Sequence, residues 1–394
     1  MLQPRGTVVF LGAGASKAFG LPLTNEILPQ IVARLGGRGG PPLFRGPRQA
    51  DLAMEFRAAL RALYPGLDLD AAGNELPNIT NVLSFIDHLI LYDYPAALGF
   101  GKERLVQARR LLERGIMEVL LDGDLSPILD QLQDQQDYSP NVRELPLAVE
   151  RRMTTAERTT LQSFLDWLRK EGAGEPLTVV TTNYDVAVET PLFTSIGVDR
   201  VAEAIDFGFD WRDPYREVLV PRPAQPQLAI LKLHGSLNWL RCDLCGQVYI
   251  NPLEVIAYLS FNEHQSWPNT CECGAWPLRH LIVAPSMVRD VRDPHLLNVW
   301  RSATEALRTA KRWFLIGYSL PAEDLAIRSM LLRAHGARGL QAGPMPLAAR
   351  PHMPSPRVTV VQRGESARGA YASLFREFDY IAGGVEALVG RANG

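Results

Sequence analysis

Six short runs rich in β-branched and aromatic residues constrain this chain more than any other feature: Thr7–Leu11, 177–180, 228–233, 280–283, 313–316 and 357–361. Each has the length of a strand and too few polar positions to keep one face in water. Helix-length segments separate most of them, and strands buried on both faces with long connections between them build a parallel sheet of doubly wound type. Five of the six lie after residue 175. The first strand is therefore separated from its partners by a large insertion.

The insertion reads as helical. Val82, Leu83, Phe85, Ile86, Leu89 and Ile90 fall on one helical stripe, and Leu105, Leu112, Ile116, Val119 and Leu120 on another. Thr154 and Thr155 suit the start of a helix through Phe164, Leu165 and Leu168. Such stripes are core-forming. Two stretches rich in Gly, Pro, Arg or Ala, 36–47 and 339–356, read as mobile connections. The expected organisation is an α/β Rossmann-like unit from 1–35 and 176–394, a mainly helical insertion over 36–175, and a small metal knuckle over 242–273. With 394 residues, the chain is long enough for two or three such units.

The knuckle is marked by Cys242, Cys245, Cys271 and Cys273, the chain's entire complement of cysteine, arranged as C-x2-C and C-x-C. Two disulfides or four unrelated thiols are the competing readings. Clustering of every cysteine, and the lack of a secretory signature that would lead one to expect disulfides, favour tetrahedral Zn2+ on two tight turns.

Bulk properties exclude several function classes. A net charge of -2 offers no general attraction to nucleic acid or to an anionic membrane. No apolar run approaches the roughly 20 residues of a membrane-spanning helix, and Thr7–Leu11 is too short for a signal-peptide core. A cytoplasmic protein without direct nucleic-acid contacts is the expectation.

Polar clusters follow the strands. Gly12-Ala13-Gly14-Ala15-Ser16 comes after the first, in front of a helical pattern at Leu23, Ile27, Ile31 and Leu35. Glycines there let backbone approach a phosphate at a helix N-terminus, although a tight turn without ligand has the same sequence. Lys17 occupies the place of a third glycine, and the acidic residue of the ordinary dinucleotide fingerprint is missing. Hydride-transfer chemistry is thereby disfavoured. The run at 177–180 leads into Thr181-Thr182-Asn183-Tyr184-Asp185, the next into Lys232-Leu233-His234-Gly235-Ser236, and a later one into Gly317-Tyr318-Ser319-Leu320. Polar groups at carboxyl ends of strands are where open α/β sheets bind ligands. Taken singly, His234 is as readily a core histidine as a catalytic one.

In this order the glycine turn, Thr-x-Asn-x-Asp, His-Gly, two cysteine pairs and Gly-x-Ser-Leu resemble the SIR2 (sirtuin) family, and the wording around Asn183 and His234 is similar to SIR2-like NAD-hydrolysing domains of bacterial antiphage defence. The segment between about 36 and 175 lies outside the resemblance. It implies that Gly12, Ala13, Gly14 and Ser16 hold the NAD+ pyrophosphate, that Gly317 and Ser319 meet the adenosine ribose, that Thr182 also contacts NAD+, that Asn183 is catalytic, orienting the nicotinamide ribose and a water, and that Asp185 meets the carboxamide. His234 would be the base and the zinc structural. Deacylating sirtuins carry Phe and Arg after the glycine loop, where this chain has Gly20-Leu21-Pro22-Leu23-Thr24-Asn25. Where they clamp a peptide as an added strand, this chain reads Ala284-Pro285-Ser286, and proline removes a backbone donor. Gln362-Arg363 ends the late strand where an Asn is usual. Water is accordingly the expected acceptor, and the expected activity is NAD+ glycohydrolysis to nicotinamide and ADP-ribose or its cyclic form, regulated by self-assembly into a homo-oligomer or by a HerA-like ATPase or Argonaute-type partner. A protein deacylase or ADP-ribosyltransferase, and a non-catalytic NAD-sensing scaffold, are the alternatives.

Overall fold

The computed structural model describes residues 6–40, 43–44, 49–67, 69, 76–92, 101–121, 153–214, 218–252, 270–283, 293–322, 324–336 and 354–393. Much of the two Gly- and Pro-rich stretches, and Ala284, Pro285 and Ser286, lie outside these residues.

The first strand, β1 (Thr7–Leu11), is buried along its whole length. It pairs in parallel with β2 (Leu177–Thr181) on one side and β10 (Arg312–Ile316) on the other. The full parallel sheet has the order β12-β11-β10-β1-β2-β6-β3, with β3 at Ile205–Asp206, β6 at Leu228–Lys232, β11 at Arg357–Gln362 and β12 at Asp379–Ala382. The chain runs outward from β1 through β2 to the edge strand β3, steps back to β6, then returns across the sheet to β10. The carboxyl ends of β1 and β10 therefore flank a topological switch point, where connections leave in opposite directions and a crevice opens.

The expected parallel sheet is present, with one strand reassigned. Residues 280–283 form β9 (Arg279–Ile282) in a second, five-stranded sheet of order β5-β4-β8-β7-β9. There β4 is Trp211–Asp213, β5 Val218–Val220, β7 Gly235–Arg241 and β8 Val248–Ile250. The reason is local. Strand β7 leaves directly from His234-Gly235 without a crossover helix, and β8 and β9 both pair with it antiparallel. Two strands of the parallel sheet escape sequence reading: β3 is two residues long, and β12, at the edge, has the sequence Asp-Tyr-Ile-Ala with one buried position and no apolar run.

Helices occupy the described parts of the insertion. In chain order the helices are α1 (Ala13–Lys17), α2 (Thr24–Leu35), α3 (Gln49–Leu63), α4 (Ile79–Leu91), α5 (Lys102–Leu121), α6 (Thr155–Glu171), α7 (Glu189–Ile196), α8 (Val201–Ala204), α9 (Pro294–Thr309), α10 (Leu325–Gly336), α11 (Arg368–Ala372) and α12 (Gly384–Asn393). The apolar stripe of α4 is buried at Val82, Leu83, Ile86 and Leu89, and α2 packs against both α4 and α5. Helix α6 starts as expected: Thr154 Oγ1 accepts from the Glu157 amide and the Glu157 carboxylate accepts in turn from the Thr154 amide. An ion network ties α4 and α5 to the second sheet. His280 Nε2 of β9 lies 3.1 Å from Glu113 Oε2, Glu113 also binds Arg109, and Arg109 reaches Asp87.

Candidate active site

The crevice at the switch point is a cavity of about 1070 Å³. Drug-sized ligands use about 300 to 1,000 Å³, so this space suits a molecule as large as a dinucleotide. Its floor is built by the segments following β1, β2, β6, β10 and β11. Its far wall comes from the first turn of α4 (Ile79, Thr80, Leu83) and from Ile116 and Leu120 of α5.

The glycines of the first turn have a structural task. The Gly14 amide donates to the Gly317 carbonyl at 2.8 Å, so the two loops flanking the switch point cross backbone to backbone. A Cβ on Gly14 would sit 2.8 Å from that carbonyl oxygen. One on Gly317, whose φ is +66°, would sit 2.0 Å from the Ala15 nitrogen. The sequence pattern Gly-Ala-Gly and the distant Gly-Tyr-Ser are thus two halves of one contact. Ala13, Gly14, Ser16, Gly317 and Ser319 all line the cavity, while Gly12 lies beneath it, its amide donating to the Ile316 carbonyl at 3.0 Å. Helix α1 is one short turn, and the pattern from Leu23 to Leu35 belongs to α2, which begins after a break at Gly20–Leu23.

Asn183 is held from below. Its amide nitrogen donates to the Gly12 carbonyl at 2.9 Å and to Ser16 Oγ at 2.8 Å, and Ser16 Oγ donates to Asp185 Oδ2 at 2.7 Å. Both amide protons are committed, which leaves Oδ1 as the polar atom to meet a ligand. The Asp185 carboxylate, buried and also accepting from the Ala187 amide at 3.1 Å, anchors this chain. The resemblance assigned Asp185 to the carboxamide; here both of its oxygens are engaged by protein donors.

His234 arrives from the neighbouring strand end. Only 2% exposed, it lines the same cavity as Asn183, and its Nδ1 lies 3.2 Å from the Thr182 carbonyl. A carbonyl can only accept, so Nδ1 carries the proton and Nε2 the lone pair in the neutral ring. The main chain on either side is fixed. Trp300 Nε1 donates to Leu233 O at 3.0 Å, and the Val283 amide donates to His234 O at 2.8 Å. Gly235 follows with φ +81°, and a Cβ there would lie 1.8 Å from Leu281 O, so the glycine of His-Gly is required by the turn into β7.

On the opposite side, the loop after β10 is pinned at the Tyr318 carbonyl, which accepts from Gln362 Nε2 at 2.6 Å and from the Tyr371 hydroxyl at 2.5 Å. Gln362 thus serves the loop, and Leu320 is held in the left-handed region at φ 55°. Two charged residues line the cavity near α1, Lys17, noted in the sequence only as a missing glycine, and Glu26: Lys17 Nζ binds both oxygens of Glu26, at 2.9 and 2.7 Å. Burial would raise the Glu26 carboxyl, but Lys17 and the Leu23 amide hold it below the usual range.

A further pair was missed altogether. Lys232, the last residue of β6, is 1% exposed and binds Glu189 and the Asp185 carbonyl. A lysine inside an otherwise apolar strand is itself a signal, because a buried ammonium requires a partner.

The four cysteines converge on the second sheet. Their sulfurs all lie within 4.8 Å of one another, with 3.6 Å between Cys242 and Cys273 and 3.5 Å between Cys245 and Cys271. The edges of a ZnS4 tetrahedron with bonds of about 2.3 Å are about 3.8 Å, so the set fits zinc. The thiols are not joined in pairs. Each pair sits on a tight turn, closed by Gly246 N to Cys242 O at 2.9 Å and by Gly274 N to Cys271 O at 2.8 Å. Zinc here would cross-link two turns of the second sheet.

Fold and site together define a doubly wound α/β protein with a dinucleotide-sized crevice at its switch point. No family model and no curated protein matches the chain. Among solved structures it is similar to Sir2 bound to p53 peptide and NAD+ (16% identity over 99% of this chain and 92% of that one, TM-score 0.37). It is similar also to Sir2 with the inhibitor EX-527, 2'-O-acetyl-ADP-ribose and deacetylated p53 peptide (14%, 98% and 92%, TM-score 0.37). Sir2 bound to acetylated peptide gives 14% over 99% and 92%, with a TM-score of 0.38. At those scores the functional reading rests on this chain's own residues. No described helix is long and apolar enough to cross a membrane.

Proposed function

We propose that the protein is an NAD+ glycohydrolase of SIR2-like type, releasing nicotinamide and ADP-ribose or its cyclic form. The observation that carries this reading is that Asn183 and His234, from two adjacent strand ends, line one cavity together with the glycine crossing. Mere binding of a nucleotide needs neither an oriented amide nor an imidazole beside it.

The chemistry follows from the bond. Nicotinamide leaves NAD+ with the bonding pair and loses its positive charge, so no acid is needed to assist it. The ribosyl carbon becomes oxocarbenium-like. Asn183 Oδ1 accepts from the attacking water or a ribose hydroxyl, His234 Nε2 takes the proton released, and water's oxygen forms the new C–O bond. Backbone at the crossing of Gly14 with Gly317 would take the pyrophosphate, and Ser319, which lines the same cavity, would meet the adenosine ribose.

Two features favour water over an acyl-lysine as acceptor. Residues Gly20 to Asn25 lack the Phe and Arg of deacylating sirtuins, and the α4 and α5 wall closes over the same cavity. The reading extends to a cytoplasmic effector that depletes NAD+ in antiphage defence, silent until a partner or self-assembly triggers it; the wording of the motifs supports that extension. Incubation with NAD+ and an acyl-lysine peptide, followed by quantification of nicotinamide and of acyl-ADP-ribose, tests the choice. Nicotinamide release independent of peptide is expected; acyl transfer in step with nicotinamide release would overturn hydrolysis.

A further inference from the structure

The Lys232–Glu189 ion pair is the most deeply buried charge pair among the described residues, with side chains 1% and 6% exposed. Buried pairs seldom stabilise a fold better than apolar residues of similar volume. Glu189 is itself strained as an anion: burial pushes its carboxyl up, and although Lys232 pulls it back, the nearby charge of Asp185 adds to the rise. The fold alone gives no reason to keep these charges.

Lys232 has a second partner. Its ammonium also donates to the main-chain carbonyl of Asp185. The side chain of that same residue accepts from Ser16 Oγ, which accepts from the Asn183 amide. Main-chain and side-chain ends of Asp185 are thus fixed independently, the first by the ammonium and the second by the serine, and Asn183, two residues earlier, bonds that same serine. Glu189, at the first turn of α7, holds the ammonium in place from below and faces the positive end of that helix.

We propose that Lys232 and Glu189 are positioning residues: the pair clamps the 182–187 segment so that Asn183 presents its oxygen to the cavity. This rests on the reading of Asn183 as a catalytic group, but the clamp itself can be measured without any ligand.

The decisive variant is Lys232→Met/Glu189→Leu, which removes both charges together and so avoids stranding one of them in the core. Hydrogen exchange followed by mass spectrometry, at matched distance from the thermal midpoint, should show roughly tenfold faster exchange in a peptide covering 182–187, while peptides from β1 and β10 keep the wild-type rate. Nicotinamide release should show kcat reduced about tenfold with KM for NAD+ within about twofold. Glu189→Asp retains a carboxylate for the ammonium, leaves no charge stranded, and therefore keeps exchange in this segment within about twofold of wild type. Wild-type exchange at 182–187 in the double variant, or loosening in Glu189→Asp as large as in the double variant, would overturn the clamp. Accelerated exchange in the double variant, with nicotinamide release unchanged from an active wild type, would uphold the clamp and sink the reading of Asn183 as a catalytic group instead.

Discussion

Asn183 and Ser16, 167 residues apart in sequence, are joined by a 2.8 Å bond from amide nitrogen to hydroxyl oxygen, and that bond fixes which end of the amide faces the cavity. Ser16→Ala removes the acceptor for Asn183 and the donor for Asp185 at once. Held then by the Gly12 carbonyl alone, the Asn183 amide can rotate, and kcat for nicotinamide release should fall roughly tenfold or more with a smaller change in KM. Steady-state kinetics on Ser16→Ala checks this; unchanged kcat would show that the amide needs no such support.

The loop crossing makes Gly317 intolerant of any side chain. Gly317→Ala would place its Cβ 2.0 Å from the Ala15 nitrogen at a backbone angle that disfavours L residues. We expect a loss of about 3 kcal/mol in urea unfolding and loss of NAD+ binding, whereas Gly364→Ala, which meets nothing within 4 Å, should be close to neutral. Equal effects at the two positions would contradict the crossing.

Metal content gives a third test. The protein should carry one zinc per chain by elemental analysis, and a strong chelator should lower the thermal midpoint. The damage should reach the N-terminus of α9, because Arg241 bridges the knuckle to Asp293, the helix cap, at 2.9 Å, and His295 lies 3.0 Å from Gly246 O. Hydrogen exchange in α9 should therefore rise after chelation; a stoichiometry near zero in protein purified with zinc present would refute the site.

Acid should weaken the tie between the helical insertion and the second sheet. Burial on its own would raise the Glu113 carboxyl, but His280 and Arg109 outweigh it and hold the group below its ordinary value of 4.5. A carboxyl depressed in the folded state stabilises above its unfolded value, and that contribution drains away as pH falls from about 4.5 through the lower folded value. Glu113→Gln should cost roughly 2 kcal/mol at neutral pH and flatten the acid limb of a stability profile measured by urea unfolding. Parallel acid limbs in wild type and variant would contradict this.

Much of the architecture was legible in the apolar runs, because strands buried on both faces leave little sequence freedom. Strand β9 was misplaced, since four residues say nothing of which sheet they join; the absence of a helix between His234 and β7 was the clue that the direction of pairing changes. The cysteines were legible because their chemistry is local. The glycines were legible as a motif but not in purpose, because the crossing of Gly14 with Gly317 joins positions about three hundred residues apart. Lys232 and Glu189 stayed hidden for a similar reason: each looks like an ordinary charge until the fold buries both.

The central claim is that Asn183 and His234 act on one bond of NAD+. Chromatography of products after mixing NAD+ with wild type, Asn183→Ala and His234→Ala, at several protein concentrations and with hydrogen exchange to verify the fold, tests it most directly. The account predicts nicotinamide and ADP-ribose from wild type, and at least about a hundredfold less from either variant, in the range set by loss of a positioned base. Turnover that survives both substitutions in folded protein would contradict it.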